Sequence, residues 1–384
     1  MKLKLKKVMV VFGTRPEAIK MAPLCHKLRA QKGIKTVICV TAQHREMLDQ
    51  VLNIFELTPD IDLNIMQKGQ DLYDVTATIL INMRDVLMQV KPDLVLVHGD
   101  TTTTFATSLA CFYMGIKVGH VEAGLRTHDI QAPFPEEYNR QSTGIIAHYH
   151  FAPTKLSQQN LLAEGKNKES VFVTGNTVID ALHLVLSSID NDADKSKNIT
   201  TKLSRSLSFD WQSSHFVLIT GHRRENFGQG FLDICEAIKE LSLRNRDTHF
   251  VYPVHLNPNV QRPVNELLSQ LNNVWLIDPL EYQDFVYLLR HSYLVLTDSG
   301  GLQEEAPSLG KPVLVMREVT ERPEAVEAGT VKLVGSNKDN IISAVDLLLN
   351  DKALYSKMSR AHNPYGDGNA SDRIVSHIIG EMID

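Results

Sequence analysis

The chain is punctuated by short, unbroken apolar runs rich in β-branched residues, with helical spacing between them. Val8–Phe12, Thr36–Val40, Leu94–Val97 and Lys117–Val121 are such runs in the first half. Val171–Val173, Phe216–Ile219, Thr248–Tyr252, Val274–Ile277, Tyr293–Leu296 and Val313–Val315 continue the pattern. A strand that is apolar throughout, without alternation, is covered on both faces, and the helices between such strands supply the cover. Pro16–Leu28 has that helical spacing, with Ile19, Pro23, Leu24 and Leu28 recurring on one side. The pattern predicts an α/β fold of doubly wound parallel sheets. With 384 residues the chain exceeds one ordinary domain of about 100–200 residues, so the doubly wound unit is expected twice.

Composition narrows the function. Apolar residues make up 43% and charged residues 22%, near the soluble globular average, which excludes disordered and fibrous classes. The 40 basic and 45 acidic residues are mixed along the chain without a basic patch, so no nucleic-acid partner is expected. No apolar run approaches the roughly 18 residues of a membrane-spanning helix, so no membrane partner is expected either. The basic start MKLKLKK is followed only by Val8–Phe12 before Gly13, Thr14 and Arg15. That is shorter than the roughly 7–15 residue core of an export signal, and a cytoplasmic protein is expected. Cys25, Cys39, Cys111 and Cys235 are scattered with no CxxC pair, which fits a reducing compartment and argues against structural zinc.

The polar stretch from Ser187 to Ser214 reads as a linker, with Thr174-Gly175-Asn176 as the alternative boundary. The turn Asn363-Pro364-Tyr365-Gly366-Asp367-Gly368 precedes one amphipathic helix at the end.

In open parallel sheets ligands bind beyond the carboxyl ends of strands. Gly13-Thr14-Arg15-Pro16-Glu17 follows the first run: a tight turn, a guanidinium, and a proline suited to the first helical position. A helix N-terminus beside an arginine suits an anion, although an ordinary turn with a solvated arginine reads equally from this motif. Thr297-Asp298-Ser299-Gly300-Gly301 follows Tyr293–Leu296, and two glycines at a helix start let phosphate oxygens approach backbone amides. Glu305, one turn on, is placed to accept hydrogen bonds from ribose hydroxyls; a serine-capped helix is the plainer alternative. Both halves thus offer an anion-friendly helix start, and a diphosphate sugar is the simplest shared ligand. Neither GxGxxG nor GxxxxGK[ST] occurs, so nicotinamide and ATP routes lack their usual handles and no cofactor is expected.

Two strands end in acids, His98-Gly99-Asp100 and His120-Val121-Glu122. Residues two apart in a strand share a face, which pairs His98 with Asp100 and His120 with Glu122. Pro135-Glu136-Glu137 adds carboxylates in a turn-rich loop, and Thr220-Gly221-His222-Arg223-Arg224-Glu225 adds a histidine. Together they form an acid/base set. A metal site competes because the side chains are ligand types, but no HExxH or facial-triad spacing is present, and none is expected. Asp100 before Thr101-Thr102-Thr103-Thr104 also reads as a helix cap.

The blocks GTRPEAIKMAPL, TAQHREMLDQVL, VHGDTTTT, GHVEAGLRT, PEEYNRQ, GNTVIDAL, GHRREN, YPVHLNPNV, LTDSGGLQEEAPSLGKPVLVMR, TERPEAV and NPYGDG resemble, in order and nearly end to end, the bacterial non-hydrolysing UDP-N-acetylglucosamine 2-epimerases. Only Ser187–Ser214 matches weakly. The resemblance implies two Rossmann-like domains of the glycosyltransferase-B kind with the active site in the interdomain cleft. It divides the chain into an N-terminal domain 1–174, a UDP-binding domain 175–364, and a last helix 365–384 returning to the first. The implied reaction is reversible C2 epimerisation of UDP-N-acetylglucosamine to UDP-N-acetylmannosamine, by elimination of UDP to 2-acetamidoglucal and re-addition. The product would supply ManNAc units for cell-surface polysaccharide.

By motif, Asp100, Glu122, Glu136 and His222 match the family's catalytic residues. Arg15, Lys20, Ser299, Gly300, Gly301, Glu305 and Arg322 match substrate contacts, with Phe285 and Leu280 beside the uracil. Gln43, Glu46, Arg223 and His255 match an effector site for a second UDP-N-acetylglucosamine as activator, though Gln43–Glu46 reads equally as a solvated loop. A homodimer is implied as well. Three other functions stand against this one: a retaining glycosyltransferase of the same architecture, a hydrolysing epimerase, and a silent sugar-nucleotide sensor. The last has no need of three acids and His222.

Overall fold

The computed structural model describes residues 5–42 and 45–383. The chain divides into two compact units, Met1–Leu184 with Tyr365–Asp384, and Val185–Pro364. The division falls within the helix Thr177–Asp190, which begins just after residue 174.

In the first unit seven strands form one parallel sheet: β1 (Lys6–Phe12), β2 (Ile34–Val40), β3 (Ile61–Asp62), β4 (Leu94–His98), β5 (Lys117–Val121), β6 (Tyr149–Ala152) and β7 (Val171–Val173). Their spatial order is β3-β2-β1-β4-β5-β6-β7. Val10 lies opposite Ile38 on one side and Leu96 on the other, and Val8 to Phe12 are all fully buried, as a continuous apolar run requires. Met9, Val11, Val37, Cys39, Val95 and Val97 pack on Ile79, Met83 and Leu87 of the helix Leu72–Val90 and on Ala106 and Ala110 of the helix Thr102–Tyr113. Each such large aliphatic side chain contributes about 1.5–3 kcal/mol by leaving water.

The second unit holds β8 (Phe216–Thr220), β9 (His249–Pro253), β10 (Val274–Ile277), β11 (Leu294–Thr297), β12 (Val313–Val315) and β13 (Val331–Leu333), all parallel, in the order β10-β9-β8-β11-β12-β13. Val217, Ile219, Phe250, Tyr252 and Leu296 pack on Ile234, Ile238 and Leu241 of the helix Gln229–Arg244 and on Val345 and Leu348 of the helix Lys338–Asn350. In each sheet the direction of strand addition reverses once, between β1 and β4 and between β8 and β11. Those reversals open a crevice beyond the strand ends, and the loops there are the natural ligand positions.

The linker expected over Ser187–Ser214 is corrected. The helix Thr177–Asp190 ends inside it and a second helix, Ala193–Ser206, fills most of the rest. Asp192 caps that second helix by accepting the Lys195 N–H at 2.9 Å, and Ile199 and Leu203, four residues apart, are its buried stripe. Lys202 anchors it through a 2.5 Å bond to the buried Asp284. A stripe two residues wide among lysines, serines and threonines leaves little trace in composition.

The helix Ala370–Ile383 belongs to the first unit. Asp180 accepts its first N–H groups, Ala370 at 3.1 Å and Ser371 at 2.7 Å, and Lys27 of the helix Arg15–Arg29 pairs with Asp372. Among the described residues no helix is long and apolar enough to cross a membrane.

Candidate active site

The loop after β1 is built around a buried carboxylate. Thr14 caps the helix Arg15–Arg29, and Glu17 returns the bond, its Oε2 accepting from Gly13 N (3.1 Å), Thr14 N (2.8 Å) and Thr14 Oγ1 (2.8 Å). Glu17 Oε1 accepts from Thr101 Oγ1 at 2.7 Å and Thr104 Oγ1 at 3.3 Å. One side chain thus ties the loop after β1 to the loop after β4, across the reversal of strand order. Gly13 is obligatory there, because a Cβ would stand 2.0 Å from Thr41 Oγ1 and 2.5 Å from Thr103 Oγ1. Arg15 is half-buried at the first helical position with no ion pair among the described residues. A guanidinium kept at a helix N-terminus without a carboxylate partner suits an anionic ligand.

Asp100 and Glu122 lie beyond their strands, which corrects the same-face pairing: β4 ends at His98 and β5 at Val121. The backbone then turns left-handed, with φ of 65° at Gly99 and 62° at Glu122. A glutamate in that region costs about 1–3 kcal/mol, a strain that clusters at functional sites. Asp100 does not cap the following helix. Thr101 does, accepting the Thr104 N–H at 3.2 Å, which leaves the Asp100 carboxylate to Arg140 Nη2 at 2.5 Å. Arg140 is itself held by the fully buried Glu137 at 3.3 Å. Glu136, next to it in the first turn of the helix Glu136–Ile146, is half-buried.

Glu122 Oε2 forms an ion pair with Lys20, accepts Asn176 Nδ2 at 2.9 Å, and lies 3.6 Å from His98 Nε2. Burial alone would raise its pKa, but the Lys20 ammonium and then His98 hold it well below the usual carboxylate range. His120 is not its partner. It is fully buried, bonded through Nε2 to the Gly99 carbonyl at 2.7 Å, and burial drives its pKa down to about 3. It is a neutral donor that fixes the Gly99 turn.

In the second unit the loops after β8 and β11 lie side by side, with Thr220 opposite Thr297 and their hydroxyls 2.5 Å apart. His222 is 44% exposed and its ring stacks on His255, centroids 5.0 Å apart and planes within 9°. Desolvation lowers the His222 pKa, helped by His255 and Arg223 and opposed by Asp298. Ser299 donates its N–H to Thr297 Oγ1 at 2.9 Å. Gly301 opens the helix Leu302–Ser308 with no side-chain cap, so the serine-capped alternative does not hold. A Cβ on Gly300 would come within 2.6 Å of Arg322 Nη1. Arg322 Nε donates to Glu304 Oε1 at 2.6 Å, and Glu305 accepts the Tyr282 hydroxyl at 2.7 Å. Leu280 and Phe285, just before and within the helix Tyr282–His291, are half-buried.

The matching family model, UDP-N-acetylglucosamine 2-epimerase, spans residues 26–379. A UDP-N-acetylglucosamine 2-epimerase of Escherichia coli K12 is 58% identical over 98% of this chain and 99% of its own. One from Campylobacter jejuni is 57% identical over 97% of each. A crystal structure of the Neisseria meningitidis enzyme bound to UDP-GlcNAc is 53% identical, with a TM-score of 0.89, covering 97% of this chain and 100% of that one. The chain belongs to the UDP-N-acetylglucosamine 2-epimerase family.

The epimerase motifs account for the unusual local geometry. GTRPE supplies the Thr14–Glu17 box, HGD the left-handed turn before Asp100, and DSGG the uncapped helix start. Four residues that shape the site went unassigned from sequence: Glu17, Asn176, Arg140 and Asp298. Each stands inside an epimerase block; the Thr14-x-x-Glu17 spacing of a capping box is a signal for Glu17, but nothing in the spacing of the other three separates them from surface polar residues. Of the effector positions, Gln43 lies outside the described residues, Glu46 is exposed in the helix Arg45–Ile54, Arg223 is half-buried and His255 is exposed. Among the described residues no three His, Cys, Asp or Glu stand close enough to hold a metal ion.

Proposed function

We propose that the protein interconverts UDP-N-acetylglucosamine and UDP-N-acetylmannosamine without net hydrolysis, eliminating UDP to 2-acetamidoglucal and adding it back after proton return to the other face of C2. The observation that carries this is the sorting of chemistry by unit. Carboxylates and an unpaired arginine gather where the first sheet reverses, and open backbone amides with His222 and Arg322 gather where the second does. The family and the UDP-GlcNAc held by the Neisseria relative support the same ligand.

The chemistry asks for such a division. The C2 proton is not adjacent to a carbonyl carbon, so its removal alone is prohibitive. Coupling that removal to departure of UDP avoids a free carbanion, provided charge growing on the diphosphate meets cations and N–H groups. Arg15, His222 and Ser299–Gly301 are assigned that part, with Glu305 on the ribose and Leu280 and Phe285 at the uracil. Asp100, Glu122 and Glu136 carry the proton transfers. Lys20 neutralises Glu122 in the free protein. A diphosphate that draws Lys20 away would leave the buried Glu122 a stronger base just when substrate is bound.

The homodimer and the activator site, with Gln43, Glu46, Arg223 and His255, are part of this reading, as is supply of ManNAc units for cell-surface polysaccharide. NMR of the purified protein with UDP-N-acetylglucosamine in heavy water tests the reaction. Deuterium at C2 of recovered substrate together with the manno epimer is expected. Net release of UDP and free sugar would point to the hydrolysing reaction, and an unlabelled C2 would remove the proton-loss step.

A further inference from the structure

Asp298, the first residue after β11, is fully buried. Its Oδ2 accepts the backbone N–H groups of His222 and Arg223, each at 2.8 Å, and the Asn226 side-chain amide at 3.5 Å. Its Oδ1 receives no hydrogen bond from any described residue and stands 3.8 Å from His222 Nδ1. A buried carboxylate oxygen left without a donor is costly, and such an atom in a native site calls for an explanation. We propose that Asp298 is a positioning residue for His222: in the free protein it keeps the proton of the neutral imidazole on Nδ1 and fixes the ring, so that Nε2 is the nitrogen that takes up a proton and donates it to the diphosphate when substrate binds.

The geometry supports this from three sides. The two backbone bonds tie the start of the Gly221–Arg223 loop to the carboxylate, so ring and anion cannot drift apart independently. His255 stacks on the ring and limits its rotation. The charged and titratable groups facing the imidazole are Asp298, His255 and Arg223; desolvation, His255 and Arg223 outweigh Asp298 and lower its pKa, which favours the neutral ring near pH 7. A neutral imidazole must choose a tautomer, and the group at one nitrogen decides which nitrogen stays free to act. The backbone bonds alone would be served by any acceptor, whereas Oδ1, left without a donor among the described residues, stands 3.8 Å from Nδ1 and so distinguishes the ring's two nitrogens.

The proposal rests on His222 touching the substrate as read above, so its test has a readout that does not depend on turnover. Nitrogen NMR of the protein labelled at histidine, near pH 7, should show His222 with Nδ1 protonated and Nε2 bare. The opposite tautomer in the unmodified protein overturns the proposal. Asp298→Asn keeps the volume and an acceptor for the backbone N–H groups but turns an amide donor toward Nδ1. Its His222 should switch to the Nε2–H tautomer and kcat should fall about 10–100-fold, with KM for UDP-N-acetylglucosamine within about twofold. An Asp298→Asn protein with unchanged tautomer and turnover overturns the assignment. If that variant does not fold, the spectrum of the unmodified protein still decides. If His222→Ala turns over normally, the role of His222 in the reaction fails, while the tautomer continues to report on the pairing itself.

Discussion

Asn176 donates its side-chain amide to Glu122 Oε2 at 2.9 Å while its backbone N–H donates to the Tyr365 carbonyl at 2.7 Å. Tyr365 is where the chain re-enters the first unit, so the residue that steadies a proposed catalytic acid also holds that crossing. The side-chain donor favours the ionised acid. Asn176→Asp replaces it with a second carboxylate, which disfavours ionisation of Glu122. A charge-assisted hydrogen bond contributes about 1.5–3 kcal/mol, so kcat for epimerisation should fall about 10–100-fold in Asn176→Asp. The acidic limb of its pH profile should move upward, because Glu122 then ionises at higher pH. Measuring kcat against pH in both proteins checks this, and superimposable profiles would separate Asn176 from Glu122.

Lys20 and Glu122 make a stability prediction with a definite sign. The folded pKa of Glu122 is depressed by Lys20 and His98, so the pair stabilises the fold above the ordinary glutamate pKa and loses that contribution as pH falls through the folded value. Lys20→Met removes the larger counter-charge and leaves a buried carboxylate, at a cost of about 3–5 kcal/mol near pH 7. Burial then dominates and raises the pKa of Glu122. The deficit should therefore shrink on acidification, as protonation removes the unpaired charge. Urea midpoints of the two proteins at pH 7.5 and pH 5 measure it. An equal gap at both pH values would mean that the loss is packing, not charge.

Glu17 is a third case, because its two oxygens serve five donors. Glu17→Gln turns an NH2 group toward hydroxyls and amides that need an acceptor, leaving buried donors unmet. A destabilisation of about 2–4 kcal/mol is expected, larger than for a typical surface substitution. Turnover should fall in the folded fraction too, since the same carboxylate sets the spacing between the loop of Arg15 and the loop of Asp100. Thermal unfolding together with kcat on the folded protein checks both, and a variant of normal stability would show that the loops hold without it.

The sheets were legible because buried parallel strands announce themselves as apolar runs: Val8–Phe12 and Leu94–Val97 fall inside β1 and β4. β6 escaped because His150 interrupts Tyr149–Ala152, although that histidine is buried and burial drives its pKa down to about 4. β3 and β13 escaped because a charged residue breaks each short run, Asp62 in Ile61–Asp62 and Lys332 in Val331–Leu333, whereas the equally short β12 is apolar throughout. The helix Ala193–Ser206 was hidden by its thin apolar stripe. At the site, residue types predicted which loops matter but not the turns. The face-sharing rule paired His120 with Glu122, and it failed because the strand ends at Val121 and the next residue enters the left-handed region. The Thr14-x-x-Glu17 spacing reveals the capping box but not the bonds of Glu17 to Thr101 and Thr104, and Asn176 and Asp298 act through neighbours far along the chain, which no local spacing reveals.

Gly300 gives the last prediction, about binding rather than chemistry. A methyl group there would sit 2.6 Å from Arg322 Nη1 and 3.0 Å from its Cζ. The tip of an arginine can move, but here only by disturbing the bonds from Nε to Glu304 and from Nη1 to Glu321. The backbone itself tolerates alanine, because Gly300 is not among the positive-φ glycines. Gly300→Ala should therefore cost little stability, about 1 kcal/mol or less, while displacing Arg322 and crowding the amides assigned to the diphosphate. The diphosphate is already anionic in bound substrate, so most of this loss is common to ground and transition states and appears in KM, while the part that meets charge growing as UDP leaves appears in kcat. A rise in KM of about tenfold is expected, corresponding to about 1.4 kcal/mol of lost binding. Steady-state kinetics beside a urea titration decides the matter. An unchanged KM would release Gly300 and Arg322 from the substrate site, and a large stability loss would make the glycine a packing residue instead.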